Sequence, residues 1–258
     1  FSFTGMQQKE INIAGQTKFD ITLEEEIQAL EEVFVTATSK PIRKIEAVTA
    51  VEAITAKEIE RMNPVSLADL VRFTPGLFVQ TQAGRVRNFV FTRGFPDATS
   101  NGFIFTSLMM DGLRTFSSPE MVPDGGFRND LNVERVEILR GSAATLYGRG
   151  AAAGAINVIS RTGGAQTSGT VKMMVGNNNW YQLDANINGA LNTSKSWRYN
   201  VGGFWLTDDG FRNNVFPDRG GQIRGNLDYL FDKGSLRISA GYINLNVYNN
   251  HSIPYVGL

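Results

Sequence analysis

The sequence contains no cysteine and a single histidine, His251. These absences exclude disulfide frameworks, thiolate metal sites and cysteine nucleophiles, and they leave too few histidines for a histidine-rich metal centre or a conventional catalytic triad. The 25 basic and 25 acidic residues cancel, so no excess of positive charge points to nucleic acid. We therefore expect no catalytic residue, no metal, no cofactor and no nucleic-acid partner.

Long apolar runs are also missing. No segment offers the roughly 20 consecutive apolar residues that a transmembrane helix needs, and residues 1–5 lack the basic and apolar regions of a signal peptide. What the chain has instead is 27 glycines and 17 phenylalanines among many Asn, Thr and Ser residues. This composition favours β structure rich in turns.

The part of the chain after Gly163-Gly164 alternates with a period of two. In residues 181–191 the odd positions are apolar or small, whereas Gln182, Asp184 and Asn186 are polar. The same scheme recurs around 170–175, 197–205, 223–231 and 236–242, which gives about five strands of about ten residues. This length and alternation predict membrane-spanning β-strands with a polar lumen side. Aromatic residues near the strand ends fit interfacial girdles: Trp180, Tyr181, Trp197, Trp205, Phe231 and Tyr242.

A soluble β-sandwich shows the same period. The length of the strands and the Asn, Gln, Arg and Asp residues on the polar face favour the membrane. About five strands cannot close a barrel, and open edges in a bilayer leave backbone groups unpaired. We therefore expect the natural chain to continue past Leu258.

Residues 42–163 mix helical and strand signals. Thr55 and Glu58 have the spacing of a capping box, and Ser66 can cap a second helix over 67–73, which Pro75-Gly76 stops. Strands are predicted at 133–139 and 155–160. The pattern predicts a compact α+β domain. Before it, residues 1–24 have the pattern of a β-hairpin too small to be stable alone, and 33–38 form a short β-prone segment beside acidic residues.

Several blocks of the sequence, in order, resemble the TonB-dependent receptor family. The blocks are residues 32–37, 67–77, 91–95, 110–113, 133–148 and 154–160, of which Val133 to Gly148 is the most specific. The first thirty residues are similar to the end of the carboxypeptidase-regulatory-like domain that precedes many such receptors.

The resemblance implies a fold class and a domain division. The fold is an α+β plug domain followed by the first strands of a large antiparallel transmembrane β-barrel, in an incomplete chain. The divisions are the end of a small β-sandwich domain at 1–30, a TonB box at 31–38, the plug at 39–163, and about five barrel strands at 164–258.

The resemblance also implies functional residues. The TonB box would bind its partner as an added strand, through Glu32, Val33, Phe34, Val35, Thr36 and Ala37. Arg93 and Arg140 would lock the plug against carboxylates of the barrel wall, with Glu134 and Glu137 in the same network. Ligand contacts are expected from plug loops that combine cationic and aromatic side chains: Arg85, Arg87, Phe103, Phe105 and Phe116.

The function implied is TonB-dependent import, across the outer membrane of a Gram-negative bacterium, of a ferric siderophore or similar metal chelate. The expected partners are a TonB-type energy-transducing protein in the periplasm, outer-membrane lipid, the small metal-chelate ligand and other envelope proteins. Two alternatives stay open, namely import of a glycan or peptide, and a structural or signalling role in an outer-membrane complex.

Overall fold

The computed structural model describes residues 34–35, 42–43, 50–83, 86–92, 106–115, 128–141, 151–210 and 217–246. The elements in these ranges are, in chain order, β1 (Phe34–Val35), β2 (Ile42–Arg43), β3 (Ala50–Thr55), α1 (Ala56–Met62), α2 (Leu67–Val71), β4 (Leu77–Ala83), β5 (Val86–Thr92), β6 (Thr106–Met110), β7 (Leu113–Arg114), β8 (Val133–Arg140), β9 (Gly154–Ser160), β10 (Ser168–Gly176), β11 (Trp180–Ala190), β12 (Trp197–Asp208), β13 (Asp218–Phe231) and β14 (Gly234–Asn246). The predicted hairpin at 1–24 lies outside the described residues.

The first large sheet, which we call the plug sheet, has the strand order β3-β8-β9-β6-β7. Its neighbouring strands are antiparallel except β6 and β9, which run parallel. The strands predicted at 133–139 and 155–160 are thus confirmed as β8 and β9. Within the described part of the chain, β3 pairs with β8 alone and lies at the edge of this sheet.

Both helices begin where the sequence predicts. Glu58 N donates to Thr55 Oγ1 at 3.4 Å, and Thr55 N donates to Glu58 Oε2 at 2.7 Å, which completes the capping box of α1. Ser66 and Asp69 make the same reciprocal pair at the start of α2. The second helix ends at Val71 rather than Phe73, because Thr74 N bonds Val71 O in a tighter turn before Pro75.

Helix α1 packs against β3 and β8 of the plug sheet, helix α2 packs against the antiparallel pair β4 and β5, and all of these elements contribute to one core. The residues Leu67, Val71 and Ile156 are 0% exposed, and burial of one such side chain contributes about 1.5–3 kcal/mol. The cluster comprises Ile54, Ile59, Leu67, Leu70, Val71, Val90, Leu108, Val133, Val136, Ile138, Ile156 and Val158. The α+β domain therefore has a hydrophobic core of its own.

The second large sheet, which we call the wall, consists of β10 to β14 in chain order, all antiparallel. The strands are 9 to 14 residues long, in agreement with the sequence. Asn178 and Asn179 join β10 to β11 with φ values of 59° and 54°, the left-handed geometry that a tight hairpin turn requires.

The wall has one polar and one apolar face. Residues at even positions of β11 and β12 are buried or half-buried, such as Asn200 at 0% exposure, whereas the neighbouring Val201 is 38% exposed. The exposed face carries large apolar residues: Val171, Met173, Val175, Tyr181, Leu183, Ile187, Trp197, Val201, Trp205, Ile223, Tyr229, Phe231, Leu236, Ile238 and Tyr242. A sheet with polar residues inside and apolar residues outside matches a barrel wall in a membrane rather than a soluble sandwich.

The apolar face approaches the height of the apolar band of an outer-membrane barrel. Trp197 and Trp205 both lie on this face, eight positions apart in β12, which is about 27 Å along a strand and about 19–22 Å along the membrane normal at a tilt of about 35–45°. The outward apolar band of outer-membrane barrels is about 25 Å tall. At one end Trp197 stacks against Tyr229 with ring centroids 4.8 Å apart, and Tyr229 lies 6.1 Å from Phe231, as in an interfacial girdle. Neither helix among the described residues is long and apolar enough to cross a membrane.

This geometry predicts a position-dependent cost of a charge on the outer face. Val201 lies midway between Trp197 and Trp205, so Val201→Arg is expected to destabilise the full-length protein by about 2–4 kcal/mol. Leu191→Arg, beside Trp197 at the strand end, is expected to cost at most about 1 kcal/mol. Urea unfolding of both variants in phospholipid vesicles measures the difference, and equal costs would contradict the assignment of this face to lipid.

Candidate plug and wall interface

Most of the predicted ligand and coupling residues lie outside the described part of the chain: Glu32, Val33, Thr36, Ala37, Arg85, Arg93, Phe103, Phe105 and Phe116. Arg87 belongs to β5, for which the backbone is described at that position. The ligand-contacting set and the role of Arg93 therefore stay predictions.

The centre of the predicted TonB box is an extended strand. Phe34 pairs with Arg43 and Val35 with Ile42 in an antiparallel bridge between β1 and β2. One edge of the short strand β1 is thus paired within the chain.

Arg140 lies at the end of β8 and contacts two other plug segments. Its Nη1 donates to Pro75 O at 2.5 Å, and its Nη2 lies 3.6 Å from Glu52 Oε2 of β3. Gly76, with φ of 80°, lies against this guanidinium, so the turn passes close to it. Arg140 therefore joins β3, β8 and the turn before β4. A wall carboxylate for this residue stays a prediction.

Glu134 and Glu137 both bind Arg135. The distances from Arg135 Nη1 to Glu134 Oε1 and from Arg135 Nε to Glu137 Oε1 are each 2.9 Å. The side chain of Glu137 is 0% exposed, which requires a cationic partner because an isolated buried carboxylate is strongly unfavourable. These ion pairs lie within the plug, and a contribution of either glutamate to plug locking stays a prediction.

Asp130 makes the most extensive contact between the plug and the wall. The segment 128–132 precedes β8, and the Asp130 carboxylate is 0% exposed. It accepts from Arg224 of β13 through Nε at 2.7 Å and Nη2 at 2.5 Å, and from Gln222 Nε2 at 2.6 Å. Within its own loop it accepts from Asn132 N at 2.9 Å and Nδ2 at 3.0 Å. This bidentate contact fixes both the distance and the orientation of the Arg224 guanidinium relative to the Asp130 carboxylate.

A row of buried asparagines continues this contact across the wall. Asn132 Oδ1 accepts from Asn186 Nδ2 of β11 at 2.8 Å and from Asn200 Nδ2 of β12 at 3.0 Å. Asn226 of β13 donates to Arg161 O at 3.1 Å. All these asparagine side chains belong to residues less than 7% exposed. Because buried amides are costly without partners, the row specifies one register of plug and wall.

Arg237 of β14 makes a second charged contact. Its Nη1 lies 3.2 Å from Asp111 Oδ1, its Nε lies 2.6 Å from Asp228 Oδ1, and its Nη2 donates to Thr162 Oγ1 at 2.6 Å. Asp111 stands in the tight turn between β6 and β7 and also accepts from Ser160 N at 2.7 Å. One guanidinium thus joins the wall to the ends of both β6 and β9.

The seam is the name we give to these contacts of Asp111, 128–132 and 160–164 with β11 to β14. The resemblance implies that Arg93 and Arg140 meet wall carboxylates beyond Leu258, which stays a prediction. The seam adds contacts of the opposite polarity, in which plug aspartates meet the wall arginines Arg224 and Arg237. The signal was present in the polar, inward positions of β13 and β14, but the strands alone do not say which plug segment faces them.

A family model for the TonB-dependent Receptor Plug Domain matches residues 43–155. Among curated proteins, the chain is 30% identical over 160 residues to the Ferrioxamine B receptor of Salmonella typhimurium (strain SL1344), covering 62% of this chain and 22% of that protein. It is 28% identical over 237 residues to the Vitamin B12 transporter BtuB of Vibrio cholerae serotype O1 (strain M66-2), covering 87% of this chain and 38% of that protein. The chain thus spans well under half the length of these relatives.

Solved structures share the fold. The pyoverdine outer membrane receptor FpvA from Pseudomonas aeruginosa PAO1 bound to pyoverdine superposes with a TM-score of 0.68 at 19% identity, over 82% of this chain and 30% of that one. The alcaligin outer-membrane receptor FauA from Bordetella pertussis superposes with a TM-score of 0.65 at 19% identity, over 81% of this chain and 34% of that one. The arrangement of a plug sheet against the first wall strands is therefore common to these chains.

Proposed function

Because the chain belongs to the TonB-dependent receptor family, of which it carries the plug and the first strands of the barrel, we propose that it takes part in active import across the outer membrane of a Gram-negative bacterium. The observation that carries the proposal is the wall itself, which is apolar outside, polar inside and hydrogen-bonded to a folded plug. A plug held in this way closes the lumen, so passage of a solute requires the plug to rearrange. Members of this family are transporters and receptors, not enzymes.

The proposed ligand is a ferric siderophore or a similar metal chelate. The names of the relatives, a ferrioxamine B receptor and a vitamin B12 transporter, support this class. On this proposal Arg85, Arg87, Phe103, Phe105 and Phe116 lie in plug loops that meet the ligand, where cationic and aromatic groups suit an anionic or aromatic chelate.

The proposed partner is a TonB-type protein in the periplasm, which binds residues 32–37 by strand addition. Backbone hydrogen bonds supply the affinity in this mode and demand little side-chain specificity. Since β2 pairs with one edge of β1, the partner either takes the opposite edge or displaces β2. Arg93, Arg140, Glu134 and Glu137 are proposed to lock the plug until the partner pulls. The proposed domain division places the box at 31–38, the plug at 39–163 and wall strands at 164–258, after a small β domain at 1–30.

Deletion of Glu32 to Ala37 in the full-length receptor tests the proposal. Ligand retained by the receptor from native membranes is first identified by mass spectrometry, and its uptake by intact cells is then measured. Binding is expected to survive the deletion while uptake falls to the level of cells without the receptor. Undiminished uptake would refute energy coupling through this segment. Retention of a glycan or peptide would keep the transport mechanism and replace the ligand class.

A further inference from the structure

Among the outward-facing side chains of the described strands β10 to β14, one is charged. Arg219 of β13 pairs with Thr207 and Asn246 in an unbroken register. It therefore lies on the same face as Trp205 and Tyr242. Its guanidinium is exposed and has no hydrogen-bond or ion-pair partner within the described part of the chain. A cation at the border of a membrane-facing surface needs water or an anion beside it, so Arg219 can bind an anionic group outside the chain.

A groove of about 550 Å³ lies on the same face, on the apolar side of Arg219. It lies over Gly225 and Ala240, which are paired across β13 and β14 and leave the surface low. Larger outward side chains surround it: Val201, Leu227, Ile238 and Tyr242. A second groove, of about 620 Å³, adjoins the first and shares Val201 and Ile223 with it. The apolar face thus has two neighbouring recesses in which an apolar chain gains contacts that a flat surface does not offer.

The first groove lies one leaflet away from Arg219. Six positions separate Arg219 from Gly225 on the outward side of β13, which is about 20 Å along the strand and about 14–16 Å along the membrane normal at a tilt of about 35–45°. Half of a hydrocarbon core about 30 Å thick is about 15 Å. Gly221, between the two positions on the same face, has no side chain to obstruct the path. A lipid whose headgroup binds Arg219 therefore has acyl chains that reach the groove.

The surroundings of Arg219 suit a phosphate with sugars attached. Asn244 and Asn246 of β14 are exposed at outward positions, paired with Gly221 and Arg219. Their amides both donate and accept hydrogen bonds, as sugar hydroxyls require, and a guanidinium can bind a phosphate through two parallel hydrogen bonds. No acidic side chain occupies an outward position of the described wall strands, so none of them competes for Arg219 or repels a phosphate.

Arg219 lies at the end of the wall that has the longest connection between its strands. Residues 209–217 join β12 to β13 at this end, whereas residues 232–233 join β13 to β14 at the opposite end. Outer-membrane barrels have longer loops on the extracellular side and short turns on the periplasmic side. The Arg219 end therefore faces the outer leaflet.

We propose that Arg219 binds the phosphate of a glycolipid of the outer leaflet, and that one acyl chain of this lipid lies in the groove over Gly225 and Ala240. Asn244 and Asn246 bind its sugar hydroxyls. The lipid class is that of lipid A, which combines phosphates, sugars and several acyl chains. The site depends on the position of the wall in the outer membrane and not on import.

Titration of the purified full-length receptor with lipid A tests the proposal. The receptor is kept in a fixed concentration of uncharged detergent, and native mass spectrometry measures the lipid-bound fraction. Arg219→Gln is expected to raise the apparent Kd at least about tenfold, because the variant lacks the charge-assisted hydrogen bonds to phosphate. Arg219→Lys keeps the charge without the bidentate geometry and is expected to fall between Arg219→Gln and wild type. Lys233→Gln, at an exposed turn position of the opposite end, is the matched control and is expected to stay within about twofold of wild type.

Filling the groove tests the acyl chain separately. Gly225 is unsuitable for this, because a Cβ there would lie 2.7 Å from the backbone oxygen of Asn200. Ala240→Leu adds apolar bulk at an exposed, membrane-facing position, where leucine is compatible with folding, and it is expected to raise the apparent Kd at least about fivefold. Met173→Phe adds comparable bulk on the same face outside both grooves and is expected to stay within about twofold. Thermal unfolding first establishes that each variant is folded like the wild type.

Lipid A without phosphates is expected to bind the wild type and Arg219→Gln within about twofold of each other. Equal losses in Arg219→Gln and Lys233→Gln would overturn the proposal, since any surface charge would then suffice. Unchanged affinity in Ala240→Leu would overturn the groove as the place of the acyl chain, and phosphatidylglycerol bound as tightly as lipid A would overturn the assignment to a glycolipid. A receptor that binds lipid A as expected but imports nothing would refute the proposed function and leave the lipid site standing.

Discussion

Replacing Asp130 with alanine is expected to be the most damaging single change at the interface described. The substitution leaves Arg224, whose side chain is 13% exposed, without its carboxylate, and it removes acceptors from Gln222 and Asn132. Removal of one partner from a buried ion pair costs about 3–5 kcal/mol, because the other charge stays buried. The stability of the plugged full-length receptor is expected to fall by this amount in chemical unfolding, and cells are expected to admit large hydrophilic antibiotics.

Two controls separate the charge effect from general damage. Asp232→Ala, at an exposed turn position between β13 and β14, is expected to change stability by less than about 0.5 kcal/mol. The double variant Asp130→Ala with Arg224→Met removes both charges and is expected to recover at least half of the loss, since an apolar replacement of a buried pair is often tolerated. If Asp130→Ala proves as mild as Asp232→Ala, the Asp130–Arg224 contact does not hold the plug.

Proline substitutions in β1 are expected to show which of its two edges is needed for uptake. Successive N–H groups of a strand point to opposite edges, so Phe34→Pro and Val35→Pro remove donors from different sides of β1. One of them faces β2, and the other faces the edge that a partner can take without displacing β2. Proline removes the donor and disfavours pairing on its side.

One proline variant lacks the N–H on the edge that the partner binds, and its uptake is expected to fall at least about tenfold. The lost hydrogen bond and the clash of the proline ring with the partner strand amount to about 1.4 kcal/mol or more. If the partner takes the edge opposite β2, the variant on the β2 edge is expected to keep uptake, because it weakens only the internal pairing; a loss of uptake in that variant instead would show that the partner displaces β2. Val35→Thr, which keeps a β-branched side chain and the N–H, serves as the matched control. Wild-type uptake in both proline variants would argue against strand addition at this segment.

Local sequence patterns predicted the secondary structure because the interactions concerned are short-range. Thr55 with Glu58 and Ser66 with the residues that follow it satisfy helix ends within three positions, so their spacing alone is informative. The alternation in residues 181–191 likewise assigned each side chain to one face of a strand. Helix α2 proved shorter than predicted because its last turn tightens before Pro75.

Local sequence patterns did not predict the contacts between the plug and the wall. The sequence indicated that Gln182, Asp184 and Asn186 face a polar lumen, but not that Asn186 binds Asn132, which is 54 positions away. Resemblance to the family directed attention to Arg140, whose described contacts are Glu52 and Pro75 of the plug. Arg224 and Arg237 attracted no assignment, because a charged residue at an inward position has many possible partners until the plug is placed.

The sequence by itself thus indicated the α+β plug, the membrane-type strands and the division of their faces, because periodicity and capping depend on neighbours a few residues apart, and its motif blocks carried the resemblance to the family. Only the tertiary structure decided which plug groups meet the wall and with what charge. Ion pairs such as Asp130 with Arg224 join residues 94 positions apart, and their geometry follows from the register of two sheets. A side chain's partner across such a distance is fixed by packing of the whole chain, which no local pattern records.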